Sequence, residues 1–301
     1  MNPYYTDYSE YLSRYFGKRK IQKISVNTGH SCPNRDGKLG TGGCIYCNNK
    51  SFTPGYCFDE KSIKAQIEEG KKFFRRKYPE MGFLVYFQSF TSTHGAEASV
   101  FEKNCEELLC SDDICGLVVS TRPDCLDDEM IRSLSSLNRI KPVFIEIGVE
   151  SMHDSTLEII NRRHNSQQVE ACVAKLSRAG LDTGVHLIAG LPGEDEGMML
   201  ETIKRIGELD VKSIKLHHLQ ILEGTRLYEM WKNGELKIKP WEMNDYLDFC
   251  VKVVDLVPRH IAIERFLSSA PLSMVIAPKW GIKNYEFTNL LINKLRKKAE
   301  K

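Results

Sequence analysis

The sequence from Cys32 to Cys47 reads Cys-Pro-Asn-Arg-Asp-Gly-Lys-Leu-Gly-Thr-Gly-Gly-Cys-Ile-Tyr-Cys. It places three thiols, at positions 32, 44 and 47, in a glycine-rich loop. A four-iron cluster normally takes four protein thiolates, so three would leave one iron open. An open coordination position distinguishes a reactive metal site from a structural one. The loop therefore predicts an iron–sulfur site at which a substrate or cosubstrate binds the open iron.

A structural zinc site is the alternative for the same cysteines. The pair Cys44 and Cys47 has the C-x2-C spacing of zinc sites, but structural zinc usually completes its shell with a fourth Cys or His at short spacing. His30 and Cys57 are the nearest extra candidates. The ligand count favours the iron–sulfur cluster.

Composition is that of an ordinary soluble globular protein, with 301 residues, 42% hydrophobic and 27% charged. The length suits an α/β barrel that forms a single domain. The net charge of +2 does not indicate a nucleic-acid binder, so only local clusters could bind one. No apolar segment approaches 18 residues, and the N-terminal residues lack a signal-peptide pattern. We therefore expect a cytoplasmic protein without a membrane partner, whose ten cysteines are metal ligands or buried residues.

Short apolar strands and amphipathic helices alternate along the chain, which indicates a parallel sheet with right-handed crossovers. We expect strands at 23–27, 83–88, 116–120, 143–147, 184–189 and 213–218, and helices at 62–77, 98–109, 127–137, 154–161, 166–179 and 196–208. Six such units predict an α/β fold of the partial (β/α)6 TIM-like barrel type.

Two segments flank this core, which we place at 23–228. Tyr8, Tyr11, Tyr15 and Phe16 recur at helical spacing, so residues 1–22 form an N-terminal helical segment. The C-terminal α/β extension, 229–301, contains a helix at 241–257, a strand at 260–266 and a helix at 284–301.

Polar residues follow the ends of successive predicted strands. They are the cysteine loop after the first strand, Gln88 and Thr91 after the second, residues 121–124 after the third, Glu150 after the fourth and residues 190–194 after the fifth. Chemistry in such barrels is located at the carboxyl ends of the strands. The pattern therefore predicts one active site at that end of the barrel.

The run Cys32-x11-Cys44-x2-Cys47 resembles the cluster loop of the radical S-adenosylmethionine (SAM) superfamily, in a variant with a lengthened first gap. With Cys-Pro-Asn-Arg-Asp-Gly, this gap resembles the YhcC/YtqA group, relatives of the elongator catalytic subunit. The segments 120–124, 146–151 and 190–194 extend the resemblance over most of the chain. The resemblance implies a partial barrel, a [4Fe–4S] cluster on the three cysteines, and reductive cleavage of SAM to a 5′-deoxyadenosyl radical.

The resemblance also implies a set of SAM contacts. Glu150 matches the position at which enzymes of the coproporphyrinogen-oxidase type carry a ribose-binding Gln, and carboxylates suit ribose diols. His186 falls where those enzymes have an Asp. Arg162 or Arg163 is placed to pair with the SAM carboxylate, because the guanidinium fork suits it. Read without the motifs, a strand-end Glu or a helix-end Arg is an ordinary surface charge.

Five further residues complete the predicted site. Tyr46, between the last two cysteines, is expected near adenine, and Gln88 and Thr121 at strand ends are further candidates for SAM contacts. Arg122 and Cys125 are the candidates for a catalytic role. Cys125 could relay a radical or line the pocket, and lining is favoured because a buried thiol is usually a packing residue. The turn 190–193 is expected where backbone approaches a ligand closely.

The elongator relatives act on the wobble uridine of tRNA, so the resemblance points to modification of the uridine 5-position side chain. Basic runs at 71–77 and 294–298 would meet tRNA phosphates if they share a rim, although each alone is typical of a solvated helix face. A small-molecule substrate, such as a tetrapyrrole or cofactor precursor, is the alternative within the class. A non-catalytic metal-binding RNA-interaction module is the alternative outside it. An electron donor such as flavodoxin or ferredoxin is the expected protein partner.

Overall fold

The computed structural model describes residues 2–57, 61–76 and 78–300. Its strands are β1 (Thr6–Asp7), β2 (Ile21–Val26), β3 (Gly82–Phe87), β4 (Ile114–Thr121), β5 (Val143–Glu150), β6 (Asp182–Ala189), β7 (Ser213–His218), β8 (Ile221–Leu222), β9 (Ala262–Arg265) and β10 (Val275–Ala277). Its α-helices are α1 (Tyr8–Phe16), α2 (Ile63–Arg75), α3 (Ala98–Leu109), α4 (Asp128–Asn138), α5 (Asp154–Ile159), α6 (Ser166–Arg178), α7 (Glu196–Gly207), α8 (Arg226–Lys232), α9 (Met243–Leu256) and α10 (Asn284–Ala299). Lys77, which the predicted helix 62–77 includes, lies outside the described residues.

Eight of the strands form one parallel sheet that curls into a half-barrel. Their order is β1, β9, β7, β6, β5, β4, β3, β2, and β8 pairs with β10 in a separate antiparallel ribbon. The predicted α/β partial barrel is therefore confirmed, with all six predicted strands in sequence order from β2 to β7. The sheet continues beyond β7, because β9 pairs with β7 and β1 pairs with β9. The end segments 1–22 and 229–301 thus each add a strand to the sheet of 23–228.

Strands β3 and β5 are buried on both faces, which explains their continuous apolar character. Every residue of β5 is buried. Ile145, Ile147 and Val149 belong to the main core, which the flanking helices cover. Successive side chains of a strand point to opposite faces, so Phe144 and Glu146 point to the inside of the half-barrel. The polar residues inside the sheet are therefore placed by strand alternation.

Helix α1 closes the inside of the half-barrel at the amino ends of the strands. Tyr11 and Leu12 pack in one hydrophobic cluster with Leu84, Val118 and Phe144 from the inner face of the sheet. The hydroxyl groups of Tyr11 and Tyr15 both donate to the carboxylate at the start of β6. The aromatic stripe of the predicted N-terminal helix is thus a packing surface, and it leaves the carboxyl ends of the strands as the open end.

Above α1, four charged side chains form a closed ring inside the half-barrel. Lys23 Nζ lies 2.5 Å from Glu146 Oε1 and 2.6 Å from Glu264 Oε2. Lys215 Nζ lies 2.8 Å from Glu146 Oε2 and 3.2 Å from Glu264 Oε1. Burial alone would raise the pKa of Glu146, but the two lysines hold it well below its usual value. The ring is electrically neutral and forms the floor of the space above it.

No helix within the described ranges is both long enough and apolar enough to cross a membrane.

Candidate active site

The residues between the first two cysteines, 33–43, fold back on themselves. Asp36 and Thr41 form an antiparallel bridge, and the amide of Gly43 donates to the carbonyl of Asn34 at 2.8 Å. Gly43 has φ of +75°, a conformation that side chains with a Cβ rarely adopt. The lengthened gap is therefore a local hairpin that returns the chain to the first cysteine.

Cys32, Cys44 and Cys47 line one cavity. The sulfur of Cys44 is 3.7 Å from Asn34 Nδ2 and 3.7 Å from Arg162 Nη1. Two N–H donors directed at one sulfur fit a thiolate ligand, because such bonds stabilise the charge on an iron–sulfur centre.

The arrangement of the thiols bears on the choice between zinc and an iron–sulfur cluster. Across residues 2–57, 61–76 and 78–300, no three His, Cys, Asp or Glu side chains converge as ligands of a single metal ion. Zinc needs all its ligands about 2.0–2.3 Å from one point. Three thiolates that each bind a different iron of a four-iron cluster need no common point. Three thiols that line one cavity supply the donor set that such a cluster needs.

The cavity has a volume of about 690 Å³ and runs from the cysteines down to the ion-pair ring and across to β9. Small-molecule sites usually fall between roughly 300 and 1,000 Å³. Most of its walls come from the carboxyl-terminal halves of the strands and from the segments that follow them, as expected for a barrel enzyme.

Glu150 ends β5 in a left-handed conformation, with φ of +68°. The pairing of β5 with β6 shifts register between Gly148 and Glu150. The carboxylate is largely buried, and its Oε1 lies 3.3 Å from Arg162 Nη2. Strained backbone of this kind is concentrated at functional sites. The conformation directs a carboxylate into the cavity beside the cysteines.

Gly148 leaves the space that the Arg162 guanidinium occupies. A Cβ at Gly148 would lie 2.5 Å from Arg162 Nη2 and 2.9 Å from Glu150 Oε1, which real Cβ atoms do not tolerate. The same guanidinium donates to the Gly148 carbonyl. Of the two predicted arginines, Arg162 is buried and lines the cavity, whereas Arg163 is exposed and lies outside it.

Tyr46, Gln88 and Thr121 also line the cavity. Burial raises the pKa of Tyr46 well above its usual value, and the proximity of Cys44 adds to the effect. Gln88 Oε1 accepts a hydrogen bond of 2.7 Å from a serine hydroxyl of β2, so its amide nitrogen remains available to a ligand.

His186 lines the cavity, but its hydrogen bond is to the ion-pair ring of Lys23, Glu146, Lys215 and Glu264. Its Nε2 lies 2.7 Å from Glu146 Oε2, and the hydroxyl of Tyr86 donates to the same oxygen at 2.6 Å. Burial, with Lys215 nearby, lowers the pKa of His186. The imidazole is therefore neutral at pH 7. It lies between the ion-pair ring and the open part of the cavity.

The two catalytic candidates occupy different environments. Arg122 is buried and makes two 2.8 Å hydrogen bonds to Asp124, and its Nη2 donates to the Arg162 carbonyl at 2.9 Å. It lines the cavity, and its Nη1 has no partner among the described residues. Cys125 is not among the cavity-lining residues. Burial and the adjacent Asp124 raise the pKa of the Cys125 thiol to about 12, so it stays protonated.

The turn 190–193 contacts an aromatic ring and no part of the cavity, contrary to the expectation that it approaches a ligand. Gly190 has φ of +94°, and a Cβ there would lie 2.5 Å from Trp241 Nε1. The Trp241 indole donates to the carbonyl of Ala189 at 3.2 Å. Glycine is required here for packing on the C-terminal segment.

Sequence reasoning missed the wall formed by the carboxyl end of β9 and the residues after it. This wall contributes Glu264, Arg265, Ser268 and Ser269 to the cavity. The strand itself was predicted, at 260–266, but it was assigned to an extension outside the barrel. The signal that could have found it is a charged pair, Glu-Arg, at the end of a short apolar strand.

Two family models match this chain. The Radical SAM superfamily model matches residues 26–206, and the Radical_SAM C-terminal domain model matches residues 211–297. The chain therefore belongs to the radical SAM superfamily. It is an enzyme whose cofactors are a [4Fe–4S] cluster and SAM, and it needs a reductant. This membership argues against the non-catalytic alternative.

Among curated relatives, the chain is 31% identical over 289 residues to YtqA of Bacillus subtilis (strain 168), covering 96% of this chain and 88% of YtqA. It is 34% identical over 270 residues to YhcC of Escherichia coli (strain K12), covering 89% of this chain and 85% of YhcC. The predicted resemblance to this group is confirmed.

A more distant match is the tRNA uridine(34) acetyltransferase of Methanocaldococcus jannaschii, at 27% identity over 184 residues, 60% of this chain and 32% of that protein. Among solved structures, Elp3 of Methanocaldococcus infernus with an N-terminal deletion superposes with a TM-score of 0.68 at 18% identity. The superposition covers 93% of this chain and 64% of that one. At this identity the likeness shows a shared fold.

Proposed function

We propose that this enzyme modifies the 5-position side chain of the wobble uridine in tRNA. Support comes from the relatives whose name contains tRNA uridine(34), although this chain spans only about a third of their length. The structural observation that carries the proposal is the cavity, which joins three cysteines, a carboxylate suited to a ribose and a polar wall on β9 within one space.

Several residues have roles in holding the cofactors. Cys32, Cys44 and Cys47 would hold the cluster, which together with SAM would supply the radical chemistry that removes a hydrogen atom from the substrate. Glu150 accepts hydrogen bonds from the ribose hydroxyls of SAM. Arg162 pairs with its carboxylate, because this buried guanidinium faces the cavity beside Cys44.

The remaining predicted contacts hold the adenosine part of SAM. Tyr46 provides an aromatic wall for adenine, and Gln88 offers a free amide N–H. His186 presents a neutral imidazole, and Thr121 a hydroxyl. Thr121 shares a 2.6 Å hydrogen bond with Thr93, so it is held in place before a ligand binds. Arg122 positions Arg162 through that residue's carbonyl.

The surface evidence for tRNA is weaker than the sequence suggests. In the first basic run, Lys71 and Arg75 both pair with Asp113, and in the second, Lys294 pairs with Asp248 and Lys298 with Asp255. The exposed basic residues of these runs without an ion pair among the described residues are Lys72, Arg76, Arg296 and Lys297. If tRNA binds these runs, we expect these four residues to make the contacts with its phosphates.

The decisive experiment compares the modified nucleosides of tRNA from cells with and without the gene. We expect one wobble-uridine derivative to accumulate as a precursor when the gene is absent. Complementation with the wild type should restore the product, whereas the Cys44→Ala, Cys47→Ala variant should not. Identical nucleoside profiles in both strains would reject the tRNA proposal and favour a small-molecule substrate.

Salt dependence gives an independent test on purified components. Each phosphate contact releases counterions, so the log–log slope of affinity against salt is about 0.7 to 0.9 per contact. Replacing Lys297 and Lys298 with Gln should flatten the slope by roughly one to two units. Because Lys298 already pairs with Asp255, most of the change should come from Lys297→Gln alone. A tRNA that does not bind saturably at low salt would contradict the proposal.

A further inference from the structure

The wall of the cavity on β9 carries a guanidinium that forms no ion pair with a carboxylate of the described residues. The ion-pair ring holds two lysines and two glutamates, so its charges cancel. Arg265, one residue after Glu264, adds a further cation to the cavity wall. Within the described part of the chain, no carboxylate forms an ion pair with Arg265. Arg265 is half-buried at the cavity wall, so an anion that enters the cavity can reach its guanidinium.

An irregularity in β9 places this guanidinium in the cavity. The pairing of β7 with β9 runs in register from Ser213 to Ile214 and then shifts, so that Lys215 pairs with Arg265. Consecutive residues of a regular strand point to opposite faces. Here both Glu264 and Arg265 line the cavity. Bulges next to active sites serve to redirect a side chain.

Neighbouring groups on the same wall have hydrogen-bonding capacity left over. Arg265 uses one N–H, which donates to Ser269 Oγ at 3.2 Å, so the Ser269 hydroxyl proton is free to donate. The carbonyl oxygen of the Gln220 amide accepts from a backbone N–H, which leaves its nitrogen as a donor. Both residues line the cavity. The wall therefore presents several donors and one uncompensated cation.

His217 completes this group. It lines the cavity, and its ring makes no hydrogen bond within the described residues. Burial lowers the pKa of His217 well below its usual value, and the nearby His186 and Arg265 lower it further. Its imidazole is therefore neutral and offers one N–H donor. An anion accepts hydrogen bonds, and each of these four side chains can donate one to it.

We propose that Arg265, His217, Ser269 and Gln220 form a binding site for an oxyanion of the substrate, a carboxylate or a phosphate. The guanidinium fork matches both groups. The proposal rests on the proposed function, in that the oxyanion belongs to the uridine substrate, on its C5 side chain or at its 5′-phosphate. The site fixes the substrate at the end of the cavity away from Cys44 and leaves the space between for SAM.

The test uses reconstituted enzyme with SAM under anaerobic conditions and measures nucleoside binding by equilibrium dialysis. Two matched pairs separate the sources of the anion. The first pair is 5-carboxymethyluridine and its neutral isostere 5-carbamoylmethyluridine. The second is uridine 5′-monophosphate and uridine. We expect the anion of one pair to bind about ten to a hundred times more tightly than its neutral partner.

Variants of Arg265 test whether the preference for the anion comes from the cavity wall on β9. Arg265→Gln should reduce the ratio within the preferred pair to about one, and Arg265→Lys should retain part of it, because the charge remains without the fork. Arg178→Gln is the control, since Arg178 is exposed at the end of α6, just before the amino end of β6. It should keep the wild-type ratio.

The affinities of the wild-type enzyme alone can overturn the proposal. The test therefore does not depend on whether each variant folds. Equal affinity within both pairs, or no binding of any of the four ligands, would remove the oxyanion site. Cleavage of SAM by dithionite-reduced enzyme is measured in parallel. If SAM is cleaved and neither anion is preferred, only the oxyanion site fails. If the nucleoside profile of tRNA is the same with and without the gene, the proposed function fails.

Discussion

Arg162 directs one guanidinium nitrogen at the sulfur of Cys44, at 3.7 Å. The other terminal nitrogen of the same guanidinium lies 3.3 Å from the carboxylate of Glu150. One buried side chain thus connects a predicted cluster ligand with the predicted ribose-binding group. Loss of Arg162 should therefore disturb both the cluster and the binding of SAM.

Iron content tests the cysteine assignment. Anaerobically reconstituted protein should hold about four irons per chain, and the Cys44→Ala, Cys47→Ala variant should hold almost none. Cys110→Ala is the matched control, because Cys110 is an exposed thiol at the end of α3. Iron analysis with an electron paramagnetic resonance spectrum of the reduced protein gives the result. Full iron content in the double variant would refute the assignment.

Glu150→Gly should separate stability from binding. Glycine adopts φ of +68° without the strain that glutamate bears, which offsets part of the cost of leaving the buried Arg162 guanidinium without its carboxylate, so Glu150→Gly should be more stable than Glu150→Ala. Loss of the carboxylate should weaken SAM binding about tenfold or more, since hydrogen bonds to a charged group contribute about 1.5 to 3 kcal/mol. Thermal unfolding and SAM titration measure the two effects. Unchanged SAM affinity would remove Glu150 from the site.

Lys215→Met tests the ion-pair ring. Removing one cation leaves two buried carboxylates with Lys23 alone, and breaking a buried pair costs about 3 to 5 kcal/mol. Lys64→Met is the matched control, because Lys64 pairs with Glu107 at 3.0 Å with both side chains exposed. Its effect should stay below about 1 kcal/mol. Denaturant unfolding compares the two, and equal effects would show that the ring is not a stabilising unit.

Acid should destabilise the protein well above the range in which its carboxylates titrate. Burial lowers the pKa of His218 to about 3, and burial with the proximity of Arg162 lowers that of His164 to about 3. The unfolded chain protonates these rings near pH 6.5. Stability from this source is therefore complete above pH 6.5 and is lost as the pH falls toward 3.

His218→Asn should reduce this pH dependence. Each histidine contributes a slope of about 1.4 kcal/mol per pH unit below pH 6, and the variant lacks one of them. His260→Asn, at an exposed position, should keep the wild-type slope. Unfolding free energies at pH 4.5, 5.5 and 6.5 give the comparison. An identical slope in the wild type and His218→Asn would show that His218 protonates in the folded state.

The sequence allowed the partial barrel to be predicted because its strands are short, apolar and regularly spaced. Because chemistry in such barrels lies at the carboxyl ends of the strands, Cys44, Gln88 and Glu150 could be predicted to share one site. The structure places all three in one cavity. Local patterns carry this information, since each residue is placed by its own strand. The cysteine spacing alone did not reveal that residues 33–43 form a hairpin.

Partners distant in sequence could not be predicted. Lys23 and Glu264 are 241 positions apart. The sequence around each of them gives no sign that the two form an ion pair. Gly190 has the turn signature of a ligand loop, yet it packs on Trp241. Arg265 was missed because the register shift in β9 depends on the pairing with β7. These features follow from tertiary contacts, which a single sequence does not display.

The pairing of β1 with β9 has a consequence for synthesis of the chain. Thr6 pairs with Ala262, so β1 cannot pair until β9, 256 residues further along the chain, has been translated. At about 5 to 20 residues per second, this delay is roughly 10 to 50 seconds. Throughout that time the polar wall of β9 is absent and the half-barrel is open along that side. The nascent protein therefore cannot complete its substrate pocket until β9 has been translated and has paired with β7.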